Sequence, residues 1–248
     1  MIEIKGTEYT EKILHTISEA WNSQQKEIQE VVDLMVETIK SKHSIFMFGC
    51  SHAGIIAEEM FYRTGGLALI NPIFFPGFML NTRPVTLTSK LERVDGIASA
   101  LLKENHVTAG DFLLIHSVSG RNNVPIEMAI EAKKMGVHVV AVTNVAYSSA
   151  VTSRHPGGKN LYELADIVLD NKGDFGDASI RLSGFAEAIG PTSTAVAVSL
   201  LNGIVVEVVE KLLDQNDTPP VFLSANVDGG DEHNQSILEK YKDNIFYM

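Results

Sequence analysis

Between an apolar run ending at Ile115 and helix-patterned residues from Val124 onward lies His116-Ser117-Val118-Ser119-Gly120-Arg121-Asn122-Asn123. Small hydroxyl side chains and a glycine let an oxyanion approach backbone N–H groups closely, and the dipole of the helix that follows favours negative charge. A lone capping Ser or Asn would also sit at a helix start, but capping uses one polar side chain rather than a run of them. The stretch is read as a phosphate or similar anion loop, with Ser117, Ser119, Gly120, Arg121 and Asn122 as its contacts.

A second strand-to-helix turn, Phe48-Gly49-Cys50-Ser51-His52-Ala53-Gly54, repeats the arrangement. A glycine-bounded turn alone is weak evidence, since tight connections need glycine anyway. Its weight comes from matching the first loop, and it adds Gly49 and Ser51 to the anion contacts. Glu58 and Glu59 lie on the helix that leaves this turn, with Glu59 seven positions after His52 and so on the same helical face. The ordinary reading of adjacent glutamates is a solvated pair favoured by the helix dipole. His52 and His116 both stand at strand ends. Thr192, Ser193 and Thr194 precede a long apolar helix and form a third N-terminus with hydroxyls, where Thr192 and Ser193 serve as anion contacts or caps. The polar segment 226–234, which includes His233, is glycine-bent and rich in oxygen ligands, but its spacing fits neither a calcium loop nor a zinc motif. No metal and no cofactor are expected.

The elements that must hold these residues follow from periodicity. Apolar residues recur at three- and four-residue spacing from 8 to 40, predicting one long or two abutting amphipathic helices. Short apolar runs at 44–48, 111–115, 137–142 and 167–170 alternate with helical patterns at 54–63, 94–102, 124–135 and 195–213. Unbroken apolar strands alternating with helices predict an α/β fold, a three-layer doubly wound parallel sheet of flavodoxin-like type. In such sheets ligands sit beyond the carboxyl ends of the strands, where both loops fall. The expected division is an N-terminal helical arm (1–43), a ligand-binding domain (44–213) and a C-terminal tail closing the site (214–248). The arm is expected to pack partly on a second chain, making a homodimer.

Composition narrows the partners. The 248 residues carry 20 Lys and Arg against 31 Asp and Glu, a net charge of -11. Without a basic patch to override it, that charge repels a nucleic-acid backbone. The longest apolar run, 195–206, is broken by Ser199, Asn202 and Gly203 and is too short to span a membrane. A single cysteine, Cys50, and a charged rather than apolar N-terminus point to the cytoplasm.

Ser117-Val118-Ser119-Gly120-Arg121-Asn122, followed by a helix and Val139-Val140-Ala141-Val142-Thr143, resembles the serine-rich phosphosugar loop and next strand of the sugar isomerase (SIS) domain family. The resemblance covers about 44–213. Ala57-Glu58-Glu59-Met60-Phe61-Tyr62-Arg63, Gly190-Pro191-Thr192-Ser193-Thr194 and the run from Phe222 to Asn234 are similar to the SIS group called UPF0309. Ala53 stands where the family places a serine, leaving Ser51 to offer the hydroxyl, and Asn122 replaces the usual Ser or Thr while keeping a donor. The resemblance implies an SIS fold that binds a phosphorylated sugar or amino sugar. An aldose–ketose isomerase working through an enediol needs a base and a proton shuttle, for which Glu59 or Glu58 and His52 or His233 are the candidates. An amino-sugar phosphate lyase or etherase, and a non-catalytic phosphosugar-binding module, are the alternatives.

Overall fold

A computed structural model describes residues 4–248. Its centre is a five-stranded parallel sheet of β1 (Ile45–Gly49), β2 (Ile70–Pro72), β3 (Phe112–His116), β4 (His138–Thr143) and β5 (Ile167–Asp170), in the order β2-β1-β3-β4-β5. Alternation along each strand splits the core in two. Met47, Leu114, Val140 and Val142 face one layer, while Phe46, Phe48, Leu113, Ile115 and Ala141 face the other. Burying each of these side chains larger than alanine contributes about 1.5–3 kcal/mol, which is why these strands are apolar throughout. The sheet order reverses between β1 and β3, so the two polar loops that follow them flank a crevice at the switch point.

The first layer is built by α1 (Lys5–Asn22), α2 (Gln25–Lys40), α3 (Ile55–Met60) and, late in the chain, α8 (Ser193–Asp214). The opposite layer holds α5 (Ile97–Glu104) and α6 (Asn123–Lys134), with the single turn α4 (Thr88–Leu91) ahead of them. A short helix, α7 (Val145–Ser149), follows β4, and a two-stranded ribbon of β6 (Ile180–Arg181) and β7 (Ala188–Ile189) leads into α8. The predicted strands and helices agree to within a few residues, while β2, α4, α7, the β6–β7 ribbon and a tail helix at 230–240 are elements that periodicity did not predict. β2 is only three residues long and ends on Pro72, so its sequence gives no strand period.

The expected arm at 1–43 is two helices packed on their own domain; Met1 to Glu3 lie outside the described residues. Ile28, Val31, Val32, Met35 and Val36 of α2 are core residues. Gln24, at the elbow between α1 and α2, donates from Nε2 to Asp170 O (2.8 Å) while its Oε1 accepts from Asp170 N (2.8 Å), fixing the elbow to the end of β5. Trp21 of α1 lies against Gly203 of α8, where a β-carbon would come within 2.5 Å of the indole ring. Among the described residues no helix is long and apolar enough to cross a membrane.

The C-terminal tail lies along the outer edge of β2. Gly65 N donates to Phe222 O (2.9 Å), Ala68 N to Pro220 O (2.8 Å) and Phe222 N to Gly66 O (3.1 Å). Asn71 then grips the chain end, donating from Nδ2 to Asn244 O (2.9 Å) and accepting at Oδ1 from Phe246 N (2.7 Å). These bonds pair the tail with residues 65–68, just ahead of β2, and the Asn71 side chain carries the contact along that border of the sheet. The helix α9 (Gly230–Lys240) belongs to this edge cover.

Candidate functional site

The loop after β1 closes on itself. A β-carbon on Gly49 would collide with the carbonyl of Ala53, so only glycine lets residues 50–54 curl back over the strand end. Ser51 adopts φ 58, a left-handed backbone that costs a non-glycine residue roughly 1–2 kcal/mol. Strain of this kind persists where the surroundings fix it, and it gathers at ligand sites. The Ser51 hydroxyl lies 3.4 Å from Thr88 Oγ1 of α4.

The loop after β3 is anchored by the end of β4. Ser117 N donates to Val142 O (3.1 Å), Asn144 N donates to Val118 O (3.0 Å), and the Thr143 hydroxyl donates to Ser117 O (2.7 Å). Gly120 has φ 59, and a β-carbon there would meet Ser148 Oγ at 2.9 Å. His116, fully buried, joins the two loops: its Nδ1–H donates to Ala53 O at 3.0 Å. Burial pushes the imidazole down to about 4, so it is neutral at physiological pH.

Between these loops opens a cleft of about 210 Å³. Of the residues predicted from sequence, Ser51, His52, Ser117, Ser119 and Asn122 line it. Six more join them that sequence reasoning did not select: Cys50, Ala53, Glu92, Val118, Tyr147 and Asp177. Burial raises the Glu92 carboxyl from its ordinary value, against a hydrogen bond from Asn122 and the charges of Arg93 and Arg154, which pull it down. Burial likewise drives the Cys50 thiol well above its ordinary value, with the nearby Glu92 charge adding to it, so the thiol is a poor nucleophile. The Tyr147 ring packs on Phe175 with centroids 4.3 Å apart, giving the cleft an aromatic wall. Glu92 sits after α4 in a segment with no regular period, which hid it. Its charge-rich context, Glu92-Arg93 ahead of Asp95-Gly96, was the only local signal.

The other predicted residues lie elsewhere. Glu59 forms an ion pair with Arg63 one helical turn on, and is not among the cleft's lining residues. Glu58 is exposed and borders a neighbouring crevice that shares Ser51 with the cleft. His233 donates from Nε2 to Val221 O at 3.0 Å in the tail, on the β2 edge and not over the cleft, so the tail does not close the site as expected. Thr192 is fully buried, and Ser193 donates its hydroxyl to Asp177 Oδ2 at 2.6 Å. Asp177 Oδ1 also accepts from Thr192 N (3.1 Å) and Ser193 N (2.9 Å). A carboxylate thus already fills the N-terminus of α8, the place where the sequence suggested a third anion contact. Gly120 shapes its loop from within, and Arg121 stands beyond Asn122 rather than in the cleft wall.

Comparison with known proteins shows the family. The SIS domain family profile matches residues 8–144. The UPF0309 proteins of Shouchella clausii and Oceanobacillus iheyensis are each 47% identical over 241 residues, 97% of this chain and 98% of theirs. A phosphoheptose isomerase from Neisseria gonorrhoeae shares the fold at 16% identity, with a TM-score of 0.54 over 83% of this chain and 97% of that one. The match from residue 8 also includes both N-terminal helices, in keeping with their packing into the sandwich. The chain belongs to the SIS domain family, alongside the proteins called UPF0309.

Proposed function

We propose that the cleft between the β1 and β3 loops binds a phosphorylated sugar or amino sugar and catalyses its aldose–ketose isomerisation. Ser51, Ser117 and Ser119 supply hydroxyls to the phosphate, and the N-terminus of α6 adds favourable potential. The observation that carries the catalytic part is Glu92, a carboxylate on the cleft wall whose proton affinity is raised by burial. As base, Glu92 takes a proton from the carbon α to the carbonyl and returns it to the former carbonyl carbon, while His52 moves the proton between the two oxygens. Each atom gained by one carbon is lost by its neighbour, so no co-reactant is needed. Tyr147 offers a flat apolar face to the sugar ring.

We further propose that the protein works as a homodimer. Support comes from Leu14 and Val206, 63% and 64% exposed on the packed helices α1 and α8. Light scattering should give twice the 27.1 kDa chain mass; a monomer at micromolar concentration would end that part of the reading.

A thermal-shift screen with hexose and pentose phosphates, followed by α-carbon exchange in deuterated water, tests the function. Ligand at 100 times its Kd should add roughly 2.7 kcal/mol of stability. Binding without exchange would leave a phosphosugar-binding module, and no binding by any sugar phosphate would sink the proposal.

A further inference from the structure

Three guanidinium groups gather at the end of the cleft bounded by Asn122. Arg121 belongs to the β3 loop, Arg93 directly follows Glu92, and Arg154 lies in the connection after α7. The backbone holds the group together: Arg154 N donates to Arg121 O (2.8 Å), and Val124 N donates to Glu92 O (3.1 Å), which pins the Glu92-Arg93 segment to the start of α6. Arg154 Nη1 donates to Asn122 Oδ1 at 2.5 Å, so Asn122 stands between the arginines and the cleft it lines.

Two features mark the cluster as built to receive something. Arg121 Nε is buried without a hydrogen-bond partner. Among the described residues none of the three guanidiniums lies within 4.0 Å of a carboxylate oxygen, whereas Arg63 does pair with Glu59. Burial, then the charges of Arg93 and Arg121, make the Arg154 proton easier to lose, despite the opposing pull of Glu92. Mutual repulsion among clustered cations is relieved by an anion, and the planar guanidinium fork suits a carboxylate or phosphate. The chain's net charge of -11 rules out a general excess of positive charge as the reason for the cluster.

We propose that the substrate is a sugar phosphate carrying a second acidic group, a carboxylate or another phosphate, which sits on Arg93, Arg121 and Arg154 while the first phosphate occupies the serine loops. The inference rests on the phosphosugar reading of the cleft. It makes the arginines the specificity determinant that separates such a ligand from a simple sugar monophosphate.

Calorimetric titration at fixed ionic strength with glucose 6-phosphate, 6-phosphogluconate and fructose 1,6-bisphosphate tests it. At least one doubly acidic sugar should bind roughly tenfold or more tightly than glucose 6-phosphate. Which of the two wins identifies the second group as carboxylate or phosphate. Arg93 and Arg154 are exposed, so Arg93→Gln with Arg154→Gln should fold normally and bring the ratio toward one. Equal affinity for mono- and doubly acidic sugars in the parent overturns this inference alone, as does a preference that survives the double substitution. Failure of all three sugars to bind overturns the phosphosugar reading and this inference with it.

Discussion

The imidazole of His116 donates its Nδ1 proton to the carbonyl of Ala53, 63 residues away in sequence, and so ties the end of β3 to the loop after β1. This bond fixes the tautomer, leaving Nε2 as a buried acceptor without a partner. A second proton would have to enter a site closed to water, and the Asp177 charge only partly offsets that cost. His116 is therefore a positioning residue, holding two loops in register.

The first prediction follows from that burial. His116 is depressed to about 4 when folded, against about 6.5 when unfolded, so its neutral form stabilises the protein above pH 6.5. Between pH 6.5 and 4 the unfolded chain binds the extra proton, and stability falls by about 3 kcal/mol. Urea denaturation across that range should show this slope in the parent and lose it in His116→Gln. An unchanged slope in the variant would assign the pH dependence to other groups.

Ser119 gives the second. Ser119→Ala removes one neutral donor from the cleft and should weaken sugar-phosphate binding by about 0.5–1.5 kcal/mol. Ser119→Asp sets a carboxylate against the dianion and should abolish binding. If the Asp variant binds as the parent does, the anion sits elsewhere.

The third separates two carboxylates. Glu92→Gln keeps the shape of the cleft wall and removes the base, so turnover should drop by about a hundredfold or more with ligand affinity little changed. Glu59→Gln breaks the ion pair with Arg63, an exposed i,i+4 contact of small energetic weight, and should leave turnover near the parent's. The reverse pattern would move the base to α3.

The fourth concerns the layer beneath the site. Gly203→Val gains helix propensity of less than about 1 kcal/mol but drives a side chain into the Trp21 ring, where even a β-carbon comes within 2.5 Å. Overpacking of that kind costs about 1–3 kcal/mol, so the variant should melt earlier, with tryptophan fluorescence shifting before the global transition. A higher melting temperature would show that α1 yields freely.

The sheet was readable because its strands are buried on both faces, and a short unbroken apolar run between two helical patterns, as at 111–115, fits little besides a covered strand. The β3 loop was readable because small polar residues cluster at a fixed place between a strand and a helix. Glu92 was not, since its place on the cleft wall depends on the bond from Val124 N to Glu92 O, a contact with no local pattern. The tail misled for a related reason. Polar, glycine-bent segments suit a lid and an edge cover equally, and only the pairing with Gly65, Gly66 and Ala68 separates them. Thr192 and Ser193 misled because hydroxyls at a helix start invite an anion, and Asp177, fifteen and sixteen residues upstream, supplies it internally.

The grip of Asn71 on Asn244 and Phe246 links residues 173 and 175 positions apart. Such long closures carry an entropic cost that grows only slowly with length, so the finished clasp is readily stable. Its timing is another matter. Until residues 220–222 and 244–246 have docked, this border of the sheet is uncovered and can recruit a stray strand. The clasp therefore separates two kinds of damage: loss of residues 244–246 strips the border of the sheet while leaving the cleft loops and the core strands in place.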